Sequence, residues 1–462
     1  MRYHFIGVAG SGMSAIAQYI SQKGHIVSGS DRVFEKGENK KLFNKLVSKG
    51  ISIHKQTGEL ISTLPVEGTK IIVSSAIEED NVELVTAKKM GFKIVKRAEL
   101  LAEIFNKKWG IAVAGTSGKT SVSGMVTSVL KRAGKSPTAI LGGELINITK
   151  EGESSNLIIG KSEYMCIEAD ESDGSLVLYQ PKLGIITNIS RDHKSLEELE
   201  VIFKEFAERC NSIIINGDCE NTMEMIRKNK IDEAKVITFG IEKECNVQAK
   251  GILHHDQGTE FSVLGSNYNI NQIGKYNVYN ALVAIAVGRH LGISDSVIAE
   301  GLNDFKGMKR RLELKGEIGG ISVYDDYAHN PAKVAAAIQA LKERHSRIHL
   351  IYQFHGFGPT IFTGRELVET FITQLNKDDK LYILPIFAPI KTKKTASIDP
   401  LVKELKERGV KVHSYNSRTD IVNKVINCAK KEEDAVVVMG ARDNTLTELA
   451  EDIILDLKES VK

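Results

Sequence analysis

"VAGTSGKTSVSG", residues 113–124, decides how the rest of the chain is read. Its Gly-Lys-Thr triplet lies between an apolar run, "WGIAVAG" (109–115), and a segment of helical periodicity, 119–133. A strand that ends on glycines and feeds a helix is where backbone amides can wrap phosphate oxygens. A standard phosphate loop separates its first Gly from the Gly-Lys-Thr by four residues. Here that position is Val113, and the glycines of the loop are Gly115 and Gly118. Gly115, Thr116, Ser117, Gly118, Lys119 and Thr120 are therefore the expected triphosphate contacts, with Lys119 neutralising charge and Thr120 ligating magnesium.

Outward from this loop, short apolar runs alternate with helical patterns. Five strands are expected in the first hundred residues, at 3–10, 25–31, 51–56, 69–77 and 92–99, with helices near 12–23 and 80–90. "YMCIEAD" (164–170) and "LGIITNIS" (183–190) read as buried parallel strands, and the alternating region 247–273 as antiparallel hairpins. A third cycle runs from about 309, with strands in "GISVYDDYAHNP", "RIHLIYQFHG", "KLYILPIF", "KVHSYN" and "DAVVVMGAR" and helices at 331–344, 365–375 and 444–458. The expected fold is α/β in three domains, 1–106, 107–308 and 309–462.

At 462 residues with a net charge of +3 and both charge signs interspersed, the chain has no basic stripe to suggest nucleic acid. No apolar run is long enough to span a membrane. The first twenty residues are interrupted by Ser11, Ser14 and Gln18, unlike a signal peptide. Five cysteines without a C-x-x-C pair point away from disulfides and zinc, and toward a cytoplasmic protein.

Other motifs supply candidate chemistry. "IGVAGSGMSAIA" puts a glycine turn between the first strand and helix, and Asp31 follows about 20 residues on, where a ribose-binding acid falls in dinucleotide folds. Turn glycines alone would explain it as well. In "CIEADESDGS", Glu168, Asp170, Glu171 and Asp173 crowd a strand end, which is costly unless a cation offsets them. "NISRDHKS" places Asn188, Asp192 and His193 beyond the next strand, on the same rim if the sheet is doubly wound. Asn277 and Asn280 share one face of an apolar helix, and capping would account for one of them. "MKRRLE" and "YDDYAHNP" bracket the third block, where an ion pair would also explain them.

In this order, "GTSGKT", "EADESD", "TNISRDH", "GKYNVYNA", "KRRLE" and "DDYAHNP" resemble the Mur ligases, the ATP-dependent amino-acid ligases of peptidoglycan precursor synthesis. The resemblance covers essentially the whole chain. It implies an N-terminal Rossmann-like domain for a UDP-sugar, a central P-loop ATPase-like domain with a mixed sheet, and a C-terminal Rossmann-like domain that closes over ATP. It further implies an ADP-forming ligase joining L-alanine to the carboxylate of UDP-N-acetylmuramate through an acyl phosphate. A preformed peptide or another amino acid is the alternative acceptor.

Carried across residue by residue, the resemblance gives Thr120, Glu168 and His193 to Mg2+, and Lys119, Glu168, His193 and His355 to catalysis. Asn277 and Asn280 would read the adenine of ATP, Arg311 a phosphate and Asp326 the ribose. Gly10, Ser11, Gly12, Met13, Ser30, Asp31, Ser74 and Ser75 would hold the UDP. No nucleic-acid or membrane partner is implied, and the chain would act as a monomer or homodimer. It departs from the alanine-adding pattern at Ser117 and Tyr276, where that pattern has His. At 353–360, "QFHGFGPT", Gly356 and Pro359 stand at two Arg positions. A nicotinamide-dependent oxidoreductase would leave Lys119, Glu168 and His193 unexplained, and a non-catalytic binding module would not keep all of them.

Overall fold

The computed structural model describes residues 1–146, 155–172, 174–190, 194–255, 258–388, 396–429 and 433–460. The architecture is α/β on three sheets, as expected. Chain contacts divide it into two compact units, Met1–Ala249 with Asn280–Asp304, and Lys250–Tyr279 with Phe305–Lys462.

The first sheet holds β1 (Arg2–Ile6), β2 (Ile26–Ser30), β3 (Ser52–His54), β4 (Thr69–Val73) and β5 (Lys93–Lys96), in the order β3-β2-β1-β4-β5. Every neighbouring pair is parallel. Ile6 is in register with both Ser30 and Val73, so the chain leaves β1, β2 and β4 at one edge. That edge carries the turn at Gly7–Gly10, Asp31 and Ser74. Ligands favour this carboxyl edge in open parallel sheets.

The second sheet contains β6 (Trp109–Ala114), β7 (Thr138–Leu145), β8 (Ser155–Ile158), β9 (Tyr164–Glu168), β10 (Leu183–Ile186), β11 (Ser212–Asn216) and β12 (Val236–Gly240). Within the first unit their order is β12-β11-β10-β6-β9-β7-β8, parallel apart from β7 with β8. β6 sits between β10 and β9, and the segments after these three strands share an edge. The following region forms β13 (Val247–His255), β14 (Gly258–Val263) and β15 (Ser266–Ile270), and the last two pair antiparallel as the alternation predicted.

The helix Lys119–Arg132 after β6 is buried from Val122 to Leu130 although it contains Ser123, Thr127 and Ser128. Their hydroxyls are satisfied without water. Ser123 donates to Lys119 O at 2.9 Å, Thr127 to Ser123 O at 2.6 Å and Ser128 to Gly301 O at 2.7 Å. Small side chains allow close approach, and a Cβ on Gly301 would lie 2.6 Å from Val129 Cα. The loop at Gly115–Thr120 thus stands on a rigid seat.

The third sheet, β16 (Glu313–Ile318), β17 (Ile321–Asp326), β18 (Arg347–His355), β19 (Lys380–Phe387), β20 (Val412–Ser414) and β21 (Asp434–Gly440), has the order β16-β17-β21-β18-β19-β20. Only the edge strand β16 is antiparallel to its neighbour among these pairs. The helix expected at 365–375 is longer, Phe357–Gln374. Pro359 and two glycines conceal its start in the sequence, but a proline in the first helical turn removes no hydrogen bond that the helix needs. Among the described residues no helix is long and apolar enough to cross a membrane.

Candidate active site

The loop after β6 is held by the segment after β10. Thr187 Oγ1 donates to Ser117 O at 2.6 Å, Asn188 Nδ2 donates to the same carbonyl at 3.2 Å, and Asn188 Oδ1 accepts from Ser117 N at 3.1 Å. Thr116 Oγ1 adds a bond to Asn188 Oδ1 at 2.6 Å. Gly115 at φ +125° and Gly118 at φ +86° take backbone conformations that only glycine adopts without strain. Gly118 caps the helix Lys119–Arg132, so the loop delivers the chain to the helix-terminal amides.

Two carboxylates from the end of β9 meet this loop. Thr120 Oγ1 donates to Glu168 Oε2 at 2.8 Å, and that oxygen also accepts from Gly142 N at 3.0 Å. Lys119 Nζ donates to Gly115 O at 2.6 Å and to Glu171 Oε2 at 2.7 Å. The Lys119 and Glu171 side chains are only 12% and 7% exposed. Burial pushes the Glu171 carboxyl above its ordinary range despite the opposing pull of Lys119. Asp170 behaves differently: burial raises it, but the Ser172 amide, Lys119, the Ser172 hydroxyl and Arg97 together leave it below the usual value. Glu171 and Arg97 have no assigned role in the sequence reading, which weighed Glu171 only as part of an acidic cluster. His193 and Asp192 lie outside the described residues, as does Asp173. Among the described residues no group of three or more His, Cys, Asp or Glu side chains is arranged so that it could hold a metal ion.

At the first sheet, Asp31 Oδ2 accepts from Ala9 N at 2.9 Å and Oδ1 from Val33 N at 3.0 Å, tying the glycine turn to the end of β2. Ser30 is fully buried and its hydroxyl is engaged by Glu83, so this side chain faces the core. Met13 is also buried, whereas Ser11 is exposed and its carbonyl accepts from Asn156 Nδ2 at 3.0 Å. Ser74 Oγ accepts from Ala76 N at 3.4 Å, and Ser75 is exposed beside it. Arg97 presses on the turn: a Cβ at Gly12 would lie 3.3 Å from its Cδ and Nη1. Gly12, Arg97 and Asp170 thus link the glycine turn to the carboxylate cluster.

The helix Lys275–His290 carries both expected asparagines, each buried. Asn280 faces the phosphate loop, since a Cβ on Gly118 would lie 2.8 Å from its Oδ1. Asn277 Nδ2 donates to Ile273 O at 2.8 Å, a local bond across the helix start.

In the second unit, Asp326 closes β17 and is 7% exposed. Its oxygens accept from Leu312 N at 2.6 Å and Ala328 N at 2.5 Å. Burial raises its carboxyl to about 6 against those amides and Arg311. Arg311 lies over the Tyr327 ring at 5.6 Å. Its neighbour Arg310 is a structural anchor, donating to Gly440 O at 2.6 Å, Asp443 O at 3.1 Å and Asp325 Oδ1 at 3.2 Å. His355, at the end of β18, packs edge-to-face on His329 with centroids 5.2 Å apart.

Three family models match the chain in sequence: "Mur ligase family, catalytic domain" over 2–109, "Mur ligase middle domain" over 113–288 and "Mur ligase, glutamate ligase domain" over 310–442. The UDP-N-acetylmuramate–L-alanine ligase of Desulfosudis oleivorans is 32% identical over 98% of both chains. The chain belongs to the Mur ligase family. A second ligase of the same name, from Aquifex aeolicus, is 35% identical over 84% of both chains. The crystal structure of the UDP-N-acetylmuramate-alanine ligase of Thermotoga maritima shares the fold, with a TM-score of 0.79, 24% identity and full coverage of both chains. A murein peptide ligase from Psychrobacter arcticus gives a TM-score of 0.68 at 23% identity, covering 99% of both chains.

Three departures of this Mur ligase from the alanine-adding pattern, at 117, 356 and 359, have local explanations. The contacts described at position 117 are made by its backbone N and O, so replacing His with Ser leaves the hold on the loop unchanged. Gly356 and Pro359 form a pair. Gly356 sits at φ +67°, and a Cβ there would approach Pro359 Cδ to 3.2 Å. An arginine at 356 would be strained in this backbone even before its guanidinium found a partner.

Asp326 makes this Mur ligase sensitive to pH. A carboxyl raised from 3.8 to about 6 on folding contributes stability that is complete below the unfolded value and lost as pH rises through about 6. The span corresponds to roughly 2–3 kcal/mol. Urea midpoints of the ligand-free protein should fall less between pH 4 and 7 in Asp326→Asn than in the native chain. Identical slopes would remove Asp326 as a source of the effect.

Proposed function

We propose that the chain is an ATP-dependent, ADP-forming ligase that joins L-alanine to the carboxylate of UDP-N-acetylmuramate in the cytoplasm. The observation that carries this reading is the phosphate loop, with Lys119 and Thr120 each held by a carboxylate from the end of the neighbouring strand β9. The curated relatives, matched over nearly their full length, supply the choice of substrates. In this reading the muramyl carboxylate takes the γ-phosphoryl group of ATP, and the amine displaces phosphate from the resulting acyl phosphate.

Phosphoryl transfer depends on positioning and charge compensation. Amides of Gly115–Thr120 hold the phosphate oxygens, and Lys119 stabilises charge as it develops. Thr120 Oγ1 and Glu168 Oε2, 2.8 Å apart, are hard oxygen donors suited to magnesium, which prefers a few protein ligands plus phosphates and water. Magnesium there would neutralise charge between the phosphates, with His193 proposed as a further contact. Asn280, beside Gly118, and Asn277 are proposed on the adenine side, and Arg311 and Asp326 at phosphate and ribose. Asp31 orders the glycine turn around Gly10–Met13 that would receive the UDP, with Ser74 and Ser75 on the same edge. Ser30 supports this site through its bond to Glu83.

Glu171 holds Lys119 until phosphate competes for it. Neutralising that rival should help the nucleotide: Glu171→Gln is expected to bind ATP on the order of fivefold more tightly. Titration calorimetry with the purified variant measures this, and unchanged or weaker binding would argue against the competition.

The acceptor remains the point to test, because Gly356 and Pro359 replace basic residues. Purified protein supplied with UDP-N-acetylmuramate, magnesium-ATP and a panel of amino acids and peptides should release ADP with L-alanine and yield a product of the corresponding mass. ADP release that ignores alanine but follows another amine would transfer the assignment to that acceptor.

A further inference from the structure

We propose that Gln56 sets the base specificity of the UDP site, its side-chain amide locked in one orientation by Arg32 at one end and by Ser30 and Glu83 at the other. This rests on the reading above that the carboxyl edge of the first sheet receives UDP. A cavity of about 470 Å³ opens on that edge, lined by Arg32, Glu35, Lys36, Gln56 and Val82. Its volume suits a nucleoside. Arg32 and Gln56 follow the ends of β2 and β3, where Ser30 and His54 are in register. The glycine turn adjoins it. Ser30 O accepts from Gly7 N at 2.9 Å and from Val8 N at 3.0 Å, and Asp31 Oδ2 accepts from Ala9 N. The end of β2 therefore shapes the turn and leads directly into the cavity wall.

The hydrogen bonds around Gln56 run in one direction. Arg32 Nε lies 3.0 Å from the near atom of the amide, and a guanidinium only donates, so that atom is Oε1. Nε2 consequently faces Ser30 and donates to its Oγ at 3.4 Å. The Ser30 hydroxyl gives its own proton to Glu83, a fully buried carboxylate whose other oxygen lies 3.5 Å from His4 Nε2. The backbone is pinned as well, since Gln56 N donates to Glu35 Oε1 at 2.6 Å. Turning the amide over would set its NH2 against the Arg32 donor. It would also set its oxygen against a hydroxyl oxygen whose proton is already placed. Burying a carboxylate is costly. Glu83 acts here as a positioning residue, because it decides which end of Gln56 accepts.

Each end of the amide makes one side-chain bond within the protein and has capacity for a second: a lone pair on Oε1 and a hydrogen on Nε2. Uracil offers the matching pair, N3–H beside a carbonyl oxygen. Cytosine offers the reverse, an unprotonated N3 beside an amino group. With the diphosphate anchored at Gly10–Met13, the base cannot turn over to correct the order. A locked amide thus pairs with uracil and sets cytosine donor against donor and acceptor against acceptor. A glutamine free to flip would serve both bases.

Titration calorimetry of the purified chain with UDP and with CDP measures this, with ATP as the control that each variant is folded. The native chain should prefer UDP by on the order of thirtyfold, the discrimination that one two-bond base contact gives. Gln56 is only half-buried. Gln56→Ala should weaken UDP until the two nucleotides bind within about threefold of each other, with ATP binding unchanged. Gln56→Glu accepts from Arg32 but has no hydrogen to donate, and should lose the preference too. Ser30→Ala and Glu83→Met remove the lock without touching the cavity lining. They should narrow the preference by strengthening CDP, a gain that general damage to the domain does not produce. Glu83→Gln keeps an acceptor for Ser30 and should retain most of the preference. A native chain that binds UDP and CDP alike, or a native preference in Gln56→Ala, would overturn the role of Gln56. Proportional loss of both nucleotides in Ser30→Ala and Glu83→Met would overturn the lock. If the native chain binds neither nucleotide, the UDP reading falls, and this inference with it.

Discussion

Lys119→Ala is expected to lower ATP-dependent ligation by about a thousandfold or more, because it removes a cation aimed at the charge that phosphoryl transfer develops. Lys119 folds back over its own loop, bonded to Gly115 O and Glu171. The ammonium therefore waits within reach of the phosphates with its position already set. Arginine is a poor replacement, since a planar fork cannot reproduce two contacts made by one compact nitrogen. The substitution also leaves Glu171 buried without its cation. Burial already raises that carboxyl. Without Lys119 it rises further, so the variant should lose stability as pH increases through the raised value and regain it in acid. The double variant Lys119→Ala, Glu171→Gln separates the two effects. It should recover most of the lost stability, read by urea denaturation, and none of the lost ADP release. Near-native turnover in the double variant would remove Lys119 from the chemistry.

Some of this site is legible in sequence because its parts are local. The Gly-Lys-Thr triplet marks a strand-to-helix junction, and the junction is where β6 meets the helix Lys119–Arg132. Alternation of strands and helices likewise reveals the α/β class. Partner choice is less visible. Glu168, which meets Thr120, stands out as the acid still inside the apolar strand, but nothing local ties Glu171 to Lys119 across 52 residues. Ser30 and Asp31 are adjacent and both polar, yet strand alternation turns Ser30 toward Glu83 in the core and leaves Asp31 for the glycine turn. The two arginines of "KRRLE" divide in the same way, Arg310 locking backbone carbonyls and Arg311 covering Tyr327. The helix Phe357–Gln374 was foreshortened in the reading because glycine and proline usually punctuate structure; here they form its cap and first turn.

Gly115→Ala should be nearly as damaging as loss of Lys119, by a different route. At φ +125° an alanine is strained, and its Cβ would lie 2.1 Å from Thr187 Oγ1 and 3.0 Å from Thr187 N. Rotating the Thr187 side chain aside does not relieve the clash, because its backbone amide is fixed by its bond to Ala114 O at 3.0 Å. The loop must move, and the bonds of Ser117 with Thr187 and Asn188 are strained or lost with it. Strain and lost hydrogen bonds together should cost about 2–4 kcal/mol of stability. Displaced amides should weaken ATP binding by on the order of a hundredfold. Gly24→Ala is the control, with φ +82° and nothing within 4 Å of the added carbon. It carries the conformational penalty alone, about 1 kcal/mol, and should bind ATP as the native chain does. Calorimetric titration and urea denaturation of both variants separate strain from collision. Equal effects at the two glycines would mean that backbone conformation, and not the close approach of Thr187, shapes the loop.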